Sequence, residues 1–144
     1  IVPVLTYASE TWTLSRVNEA LLSAFERRVL RRIFGPVCEE GRWRSRYNTE
    51  LYALYDDLTV AQRMRLARLR WAGHVMRMAD DDPARKVFLG LPDGQRRAGR
   101  PKSRWSDGID IDAKIAGLTT WRTTALDRER WRNLLWQAKT ARRL

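Results

Sequence analysis

The sequence predicts a mainly α fold: a multi-helix bundle of five to seven helices, with a short N-terminal strand and a basic irregular arm. Three observations carry this prediction. Apolar residues recur at helical spacing through 16–34, 59–78 and the closing 119–141. Start and stop signals frame those stretches: Ser15 before the first, Thr59 with Gln62 at capping-box spacing before the second, and Gly35-Pro36 after the first. The chain is 44% hydrophobic with seven tryptophans, which is enough apolar surface to build a core.

The elements follow in order. Ile1–Tyr7 is β-branched and interrupted by Pro3, so it reads as a short edge strand. Ser15 caps a helix running to Phe34, with an apolar face of Leu21, Leu22, Phe25, Val29 and Ile33 and arginines elsewhere. "VCEEGRWRSRY" reads as a basic loop or turn, after which Asn48 caps a short helix. Thr59 then opens the longest informative element, a helix through Met78. Its one face is Met64, Ala67, Trp71, His74, Val75 and Met78, and its other Leu66, Leu69, Gly73 and Met76. Two apolar faces mean packing on both sides. "DDDP" ends this helix, with Asp82 placed to cap a short one after Pro83. "GLPDGQRRAGRPK" is irregular, a helix spans Ser103–Ile115, and Gly117 ends it. One or two closing helices bury Trp121, Leu126, Trp131, Leu134, Leu135 and Ala138.

The formal net charge is +11, and 24 of the 28 basic residues are arginine. Arginine presents a planar fork that binds phosphate bidentately and stacks on bases, so this balance points to RNA, DNA or a hybrid as partner. Arginine-favouring codons of a GC-rich genome are the alternative source. One cysteine and one histidine exclude a disulfide framework and a zinc finger. A lone cysteine reads as a reducing compartment, so the expected setting is intracellular, nuclear or cytoplasmic; no apolar run approaches the roughly 18 residues of a membrane span, so a membrane partner is not expected. The apolar opening without an initiator methionine reads as the interior of a longer protein.

In order along the chain, "PVLTYASETWTL", "FERRVLRRIFG", "RLRWAGHVMRM", "GRPKSRW" and "DRERWR" form a series. The ordered set resembles the C-terminal part of non-LTR (LINE-type) retrotransposon reverse transcriptases. The resemblance covers most of the chain and is weakest over 42–57. It implies a thumb and tail that follow the polymerase palm: 1–14 the end of the palm or its connector, 15–91 a helical thumb-like bundle, and 92–144 a basic arm with C-terminal helices. It also implies contact with template–primer, element RNA or target DNA, with the rest of the parent polymerase as partner. Two rivals are a free-standing nucleic-acid-binding module and a degenerate, inactive fragment.

Candidate nucleic-acid-binding residues fall in two groups. Arg63, Arg70 and Arg77 recur every seven residues on one helical stripe, roughly 10.5 Å apart, with no acidic residue from 59 to 78 to neutralise them. Arg96, Arg97, Arg100, Lys102 and Arg104 make the stretch "RRAGRPKSRW" a phosphate-binding arm, a plain loop or, third, an A·T minor-groove hook. Trp43 and Trp105 are candidates for stacking on a base, or for core packing. Asp80, Asp81 and Asp82 mimic the paired aspartates of a polymerase, but a helix end before a proline lacks the converging strands that a two-metal site needs. No catalytic residue, metal ligand or cofactor is expected on this chain. His74 reads as packed on an apolar face, Cys38 as incidental, and Glu39, Glu40, Asp110 and Asp112 as surface carboxylates.

Overall fold

A computed structural model describes residues 2–90, 99, 103–141 and 144. Among these the chain is mainly α: α1 (Val2–Thr6), a 3-10 turn (Ser9–Thr11), α2 (Arg16–Phe34), the hairpin strands β1 (Val37–Glu39) and β2 (Arg42–Arg44), α3 (Asn48–Tyr55), α4 (Val60–Met76), α5 (Pro83–Leu89), α6 (Trp105–Ile115), α7 (Trp121–Thr124) and α8 (Arg128–Thr140).

Local chemistry accounts for most boundaries. The Ser15 hydroxyl accepts the Asn18 N–H at 3.2 Å and starts α2. Thr59 and Gln62 form the reciprocal capping box of α4, at 3.3 and 2.9 Å. Asp82 accepts the Ala84 N–H at 2.9 Å ahead of Pro83. Gly117, at φ 76°, turns the chain out of α6 as the Leu118 N–H reaches back to the Ala113 carbonyl at 2.8 Å.

Three sequence expectations are corrected. The N-terminal strand is a helix: Val2–Thr6 bonds within itself, and the Thr6 hydroxyl donates to the Val2 carbonyl at 3.0 Å. A strand needs a neighbour to complete its hydrogen bonds, whereas a helix supplies its own, and Pro3 is tolerated in a first turn. The "VCEEGRWRSRY" loop contains a hairpin, with Cys38 paired to Trp43 across a two-residue turn. Both turn residues have positive φ, Glu40 at 51° and Gly41 at 79°, the backbone of a tight hairpin turn. Helix α3 begins at Asn48 but is capped from inside: the Glu50 carboxylate accepts the Tyr47 N–H at 2.7 Å. That carboxylate also takes the Arg44 guanidinium at 2.7 Å, and the two donors hold its pKa at about 2, with Arg44 the larger cause.

The core is one cluster around α4, reaching α6, α7 and α8 through Leu69, Ala72, Met76, Ile109, Trp121, Trp131 and Leu135. It therefore takes residues from both sides of the basic arm. Gly73 is the contact point of α4 and α8. A Cβ there would lie 2.1 Å from Trp131 Nε1, so only glycine lets the indole sit against the helix and donate to the Leu69 carbonyl at 3.2 Å.

Helix α2 packs differently from its apolar periodicity. Leu21, Phe25 and Ile33 are exposed, and the buried residues are Glu26 and Leu30. Glu26 faces the start of α4, accepting the Val60 N–H at 2.8 Å and the Tyr52 hydroxyl at 3.3 Å. An acid fits there because the helix N-terminus offers unpaired N–H groups and a positive dipole end. Burial pushes the Glu26 carboxyl up, against the pull of those donors and of Arg63 and Arg27.

Asp112, expected on the surface, is buried. Its carboxylate takes a two-pronged grip from Arg68, Nε to Oδ2 at 2.7 Å and Nη2 to Oδ1 at 2.9 Å, and Arg68 is buried too. Arg65 adds Nε 3.6 Å from Asp112 and Nη2 2.9 Å from Glu19. The network ties α2, α4 and α6 together.

Trp71 and His74 are also corrected: both are exposed, with ring centroids 5.2 Å apart. Met64, Leu69, Ala72 and Val75 occupy the buried arc instead. Leu126, assigned to the core, is exposed. Since Trp71 is 36% exposed, Trp71→Ala is expected to cost less than the roughly 3–5 kcal/mol of a fully buried aromatic truncation. A thermal melt compared with Met64→Ala checks this, and the methionine variant should melt lower.

Candidate nucleic-acid interface

The Arg63/Arg70/Arg77 stripe does not act as one surface. Arg63 is drawn to the start of α4, ion-paired with Asp57 and donating to the Leu58 carbonyl at 3.1 Å. Arg77 reaches across to the Ala125 carbonyl at 2.5 Å. Arg70 is exposed.

What the fold adds is the facing stripe on α8. Arg128, Arg132 and Trp136 recur every four residues, with Lys139 three further on, so all share one side of that helix. Because Gly73 brings α8 against α4, this side meets Arg70 and Arg77 along a groove of about 330 Å³. The walls are Arg70, Arg77, Arg128, Arg132 and Lys139; Trp131, Leu135 and Trp136 supply apolar surface; among the described residues no carboxylate lines it. Burial and the like charge of Arg128 push the Arg77 guanidinium below its ordinary pKa. Arg128 moreover stands at the first position of α8, where the helix dipole disfavours a cation. Asp127 offsets part of this by accepting the Glu129 and Arg130 N–H groups at 3.0 Å each. Concentrated like charge is a stored repulsion that an anion relieves.

The sequence pattern did not single out Arg128, Arg132, Lys139 or Trp136. The available signal was the i, i+4 recurrence of Arg128, Arg132 and Trp136 on a helix whose opposite side carries Trp131, Leu135 and Ala138. Pairing that stripe with Arg70 and Arg77 required the helix packing.

Of the arm, Arg96, Arg97, Arg100 and Lys102 lie outside the described residues. Arg104 is exposed at the start of α6, where its N–H donates to the Asp107 carboxylate at 2.9 Å. It borders a second cavity of about 340 Å³ that also includes Trp71, Val75, Phe88 and Trp105. Trp105 is half-buried: its indole N–H donates to the Glu10 carbonyl at 2.7 Å and its ring meets Phe88 edge-on at 5.4 Å. Its ring thus serves packing. Trp43 is 73% exposed on β2 and is not among the described residues that line the groove.

Other chemistry is local. Asp80 pairs with Arg85 at 3.1 Å and Asp82 caps α5, so two members of the "DDD" string have structural work. Among the described residues no group of three or more His, Cys, Asp or Glu side chains could hold a metal ion. Cys38 is exposed on β1. No helix among the described residues is long and apolar enough to cross a membrane.

The chain is similar to a transposon-derived protein of Caenorhabditis elegans, 27% identical over 139 residues. The match covers 91% of this chain and 49% of that protein, so the chain spans about half the length of the curated relative it matches. No protein-family model matches, and no solved structure matches. With near-complete coverage of the chain, the likeness points to a transposon origin for this helical fold.

Proposed function

We propose that this chain is a non-catalytic, nucleic-acid-binding C-terminal part of a retrotransposon RNA-directed DNA polymerase. The α4–α8 groove carries the reading: five cations from α4, its C-terminal cap and α8 converge there, and among the described residues no carboxylate lines it. Support also comes from the transposon-derived relative and from the ordered motifs of the sequence. The ligand is RNA, DNA or their hybrid, gripped through phosphate, with the arm around Arg96, Arg97, Arg100, Lys102 and Arg104 as a second contact. The remainder of the polymerase is the protein partner, and the exposed apolar side of α2 is surface that it could cover.

Salt titration tests the reading. With about six to ten phosphate contacts in all, affinity is expected to fall roughly 10³–10⁵-fold between about 50 and 200 mM salt. Changing Arg70, Arg132 and Lys139 together to alanine should flatten the log–log slope by about two to three units, and so should the triple change Arg97, Arg100 and Arg104. Anisotropy with labelled duplex, hybrid and single strands reads both. A slope that neither triple variant moves would refute phosphate binding by groove and arm alike.

A further inference from the structure

Trp136 is 65% exposed on the same stripe of α8 as Arg132 and Lys139. Its place is what distinguishes it from other exposed aromatics such as Trp43: it is in the wall of a cationic groove. Among the described residues its indole has no ring partner, whereas Trp131, five residues earlier, is buried and bonded to the Leu69 carbonyl. The ring is a flat apolar face beside charges suited to phosphate.

We propose that the α4–α8 groove takes a single-stranded nucleic acid, with a base stacked on Trp136 while Arg70, Arg132 and Lys139 hold the flanking phosphates. This inference rests on the nucleic-acid reading above and narrows its ligand. Three features favour a single strand. Bases in a duplex already stack on one another, so only an unstacked base offers its face to an indole. Two helices in contact at a glycine have axes no more than about 8–10 Å apart, so the channel between them admits one strand, while a duplex would touch only its rims. Finally, the cations flank the ring along the helix, one turn before it and just under one turn after it, as a strand needs when its phosphates lie on either side of a bound base. Stacking needs only a π-face, so any base is accepted and little sequence preference results.

The test uses the whole chain and five labelled ligands: oligo-U, oligo-dT, an abasic deoxyribose-phosphate strand of equal length, duplex DNA and an RNA–DNA hybrid. Trp136→Ala is expected to weaken oligo-U and oligo-dT by about 5- to 150-fold, the range of a single lost base–aromatic stack. It should leave the abasic strand unchanged, and Trp136→Phe should retain most of the affinity. The side chain is exposed, so the melting temperature of both variants should match the parent. Arg132→Ala should weaken base-bearing and abasic strands alike. Greater loss for oligo-U than for oligo-dT would assign the site to RNA, the reverse to DNA, and either keeps the stack. Equal binding of abasic and base-bearing strands, unmoved by Trp136→Ala, would overturn the stack and leave phosphate binding standing. Tighter binding of duplex or hybrid than of any single strand would also overturn it. Failure of every ligand to bind at low salt would instead reject the nucleic-acid reading itself, and the stack with it.

Discussion

Asp112→Ala is expected to unfold the chain or leave it barely stable. The carboxylate is 2% exposed and meets Arg68 at 2.7 and 2.9 Å, with Arg68 only 3% exposed. Burial pushes the Asp112 carboxyl above its ordinary range, and Arg68 and Arg65 pull against that shift without cancelling it. Removing the acid strands the Arg68 guanidinium in the core. Its Nη1 retains only a 3.4 Å contact to the Trp12 carbonyl, and the Arg65 Nε, already without a hydrogen bond, loses its nearby carboxylate. Breaking a buried pair on one side costs about 3–5 kcal/mol, a large part of the roughly 5–15 kcal/mol that holds a domain together. Urea unfolding followed by circular dichroism should show a midpoint far below the parent's. Arg68→Met with Asp112→Leu should recover much of the loss, because a matched apolar pair leaves no charge stranded. A single variant that unfolds at the parent midpoint would mean the ion pair does not hold α4 to α6.

Gly73→Ala is expected to be the second severe change, and it runs against helix propensity. In an open helix, glycine to alanine gains up to about 1 kcal/mol. Here the new methyl would sit 2.1 Å from Trp131 Nε1 and 2.5 Å from Cδ1, both atoms of a rigid ring. The indole is held by the Leu69 carbonyl and by neighbouring Trp121, centroids 6.3 Å apart, so α8 must move as a body. Overpacking of this kind costs about 1–3 kcal/mol or more. Displacing α8 also opens the groove, so the proposed binding of nucleic acid should weaken in protein that remains folded. Gly108→Ala is the matched control: it lies within α6 with nothing within 4 Å of the added carbon, and should melt at or above the parent. Equal melting of the two alanine variants would show that Gly73 is not the α4–α8 contact.

Some of the candidate surface was legible in the residues and some was not. The absence of acids from 59 to 78 marked α4 as a cationic helix, and Arg70 and Arg77 do line the groove. Arg63 shared their stripe but not their fate, because Asp57 sits just ahead of that helix. Arg68 was one more arginine in a basic stretch until α6 brought Asp112 to it from 44 residues away. In α2 the apolar residues outnumber what the bundle covers, so periodicity pointed to Leu21, Phe25 and Ile33. Contact with α3 and α4 instead chose Glu26 and Leu30, and Glu26 accepts the first N–H of α4, that of Val60. Trp71 failed as a core residue for a related reason: the arc that α6 and α8 cover on α4 runs through Leu69, Ala72, Gly73 and Met76, and Trp71 is at its edge.

By itself the sequence determined the mainly α class, the caps at Ser15, Thr59 and Asp82, and the stop at Gly117, because each depends on groups within about four residues of one another. It also determined the excess of arginine over acid, a property of composition. The tertiary structure alone decided which of those arginines are spent on partners and which face the groove. That depends on carboxylates and carbonyls tens of residues away, and on one glycine that lets α8 close against α4.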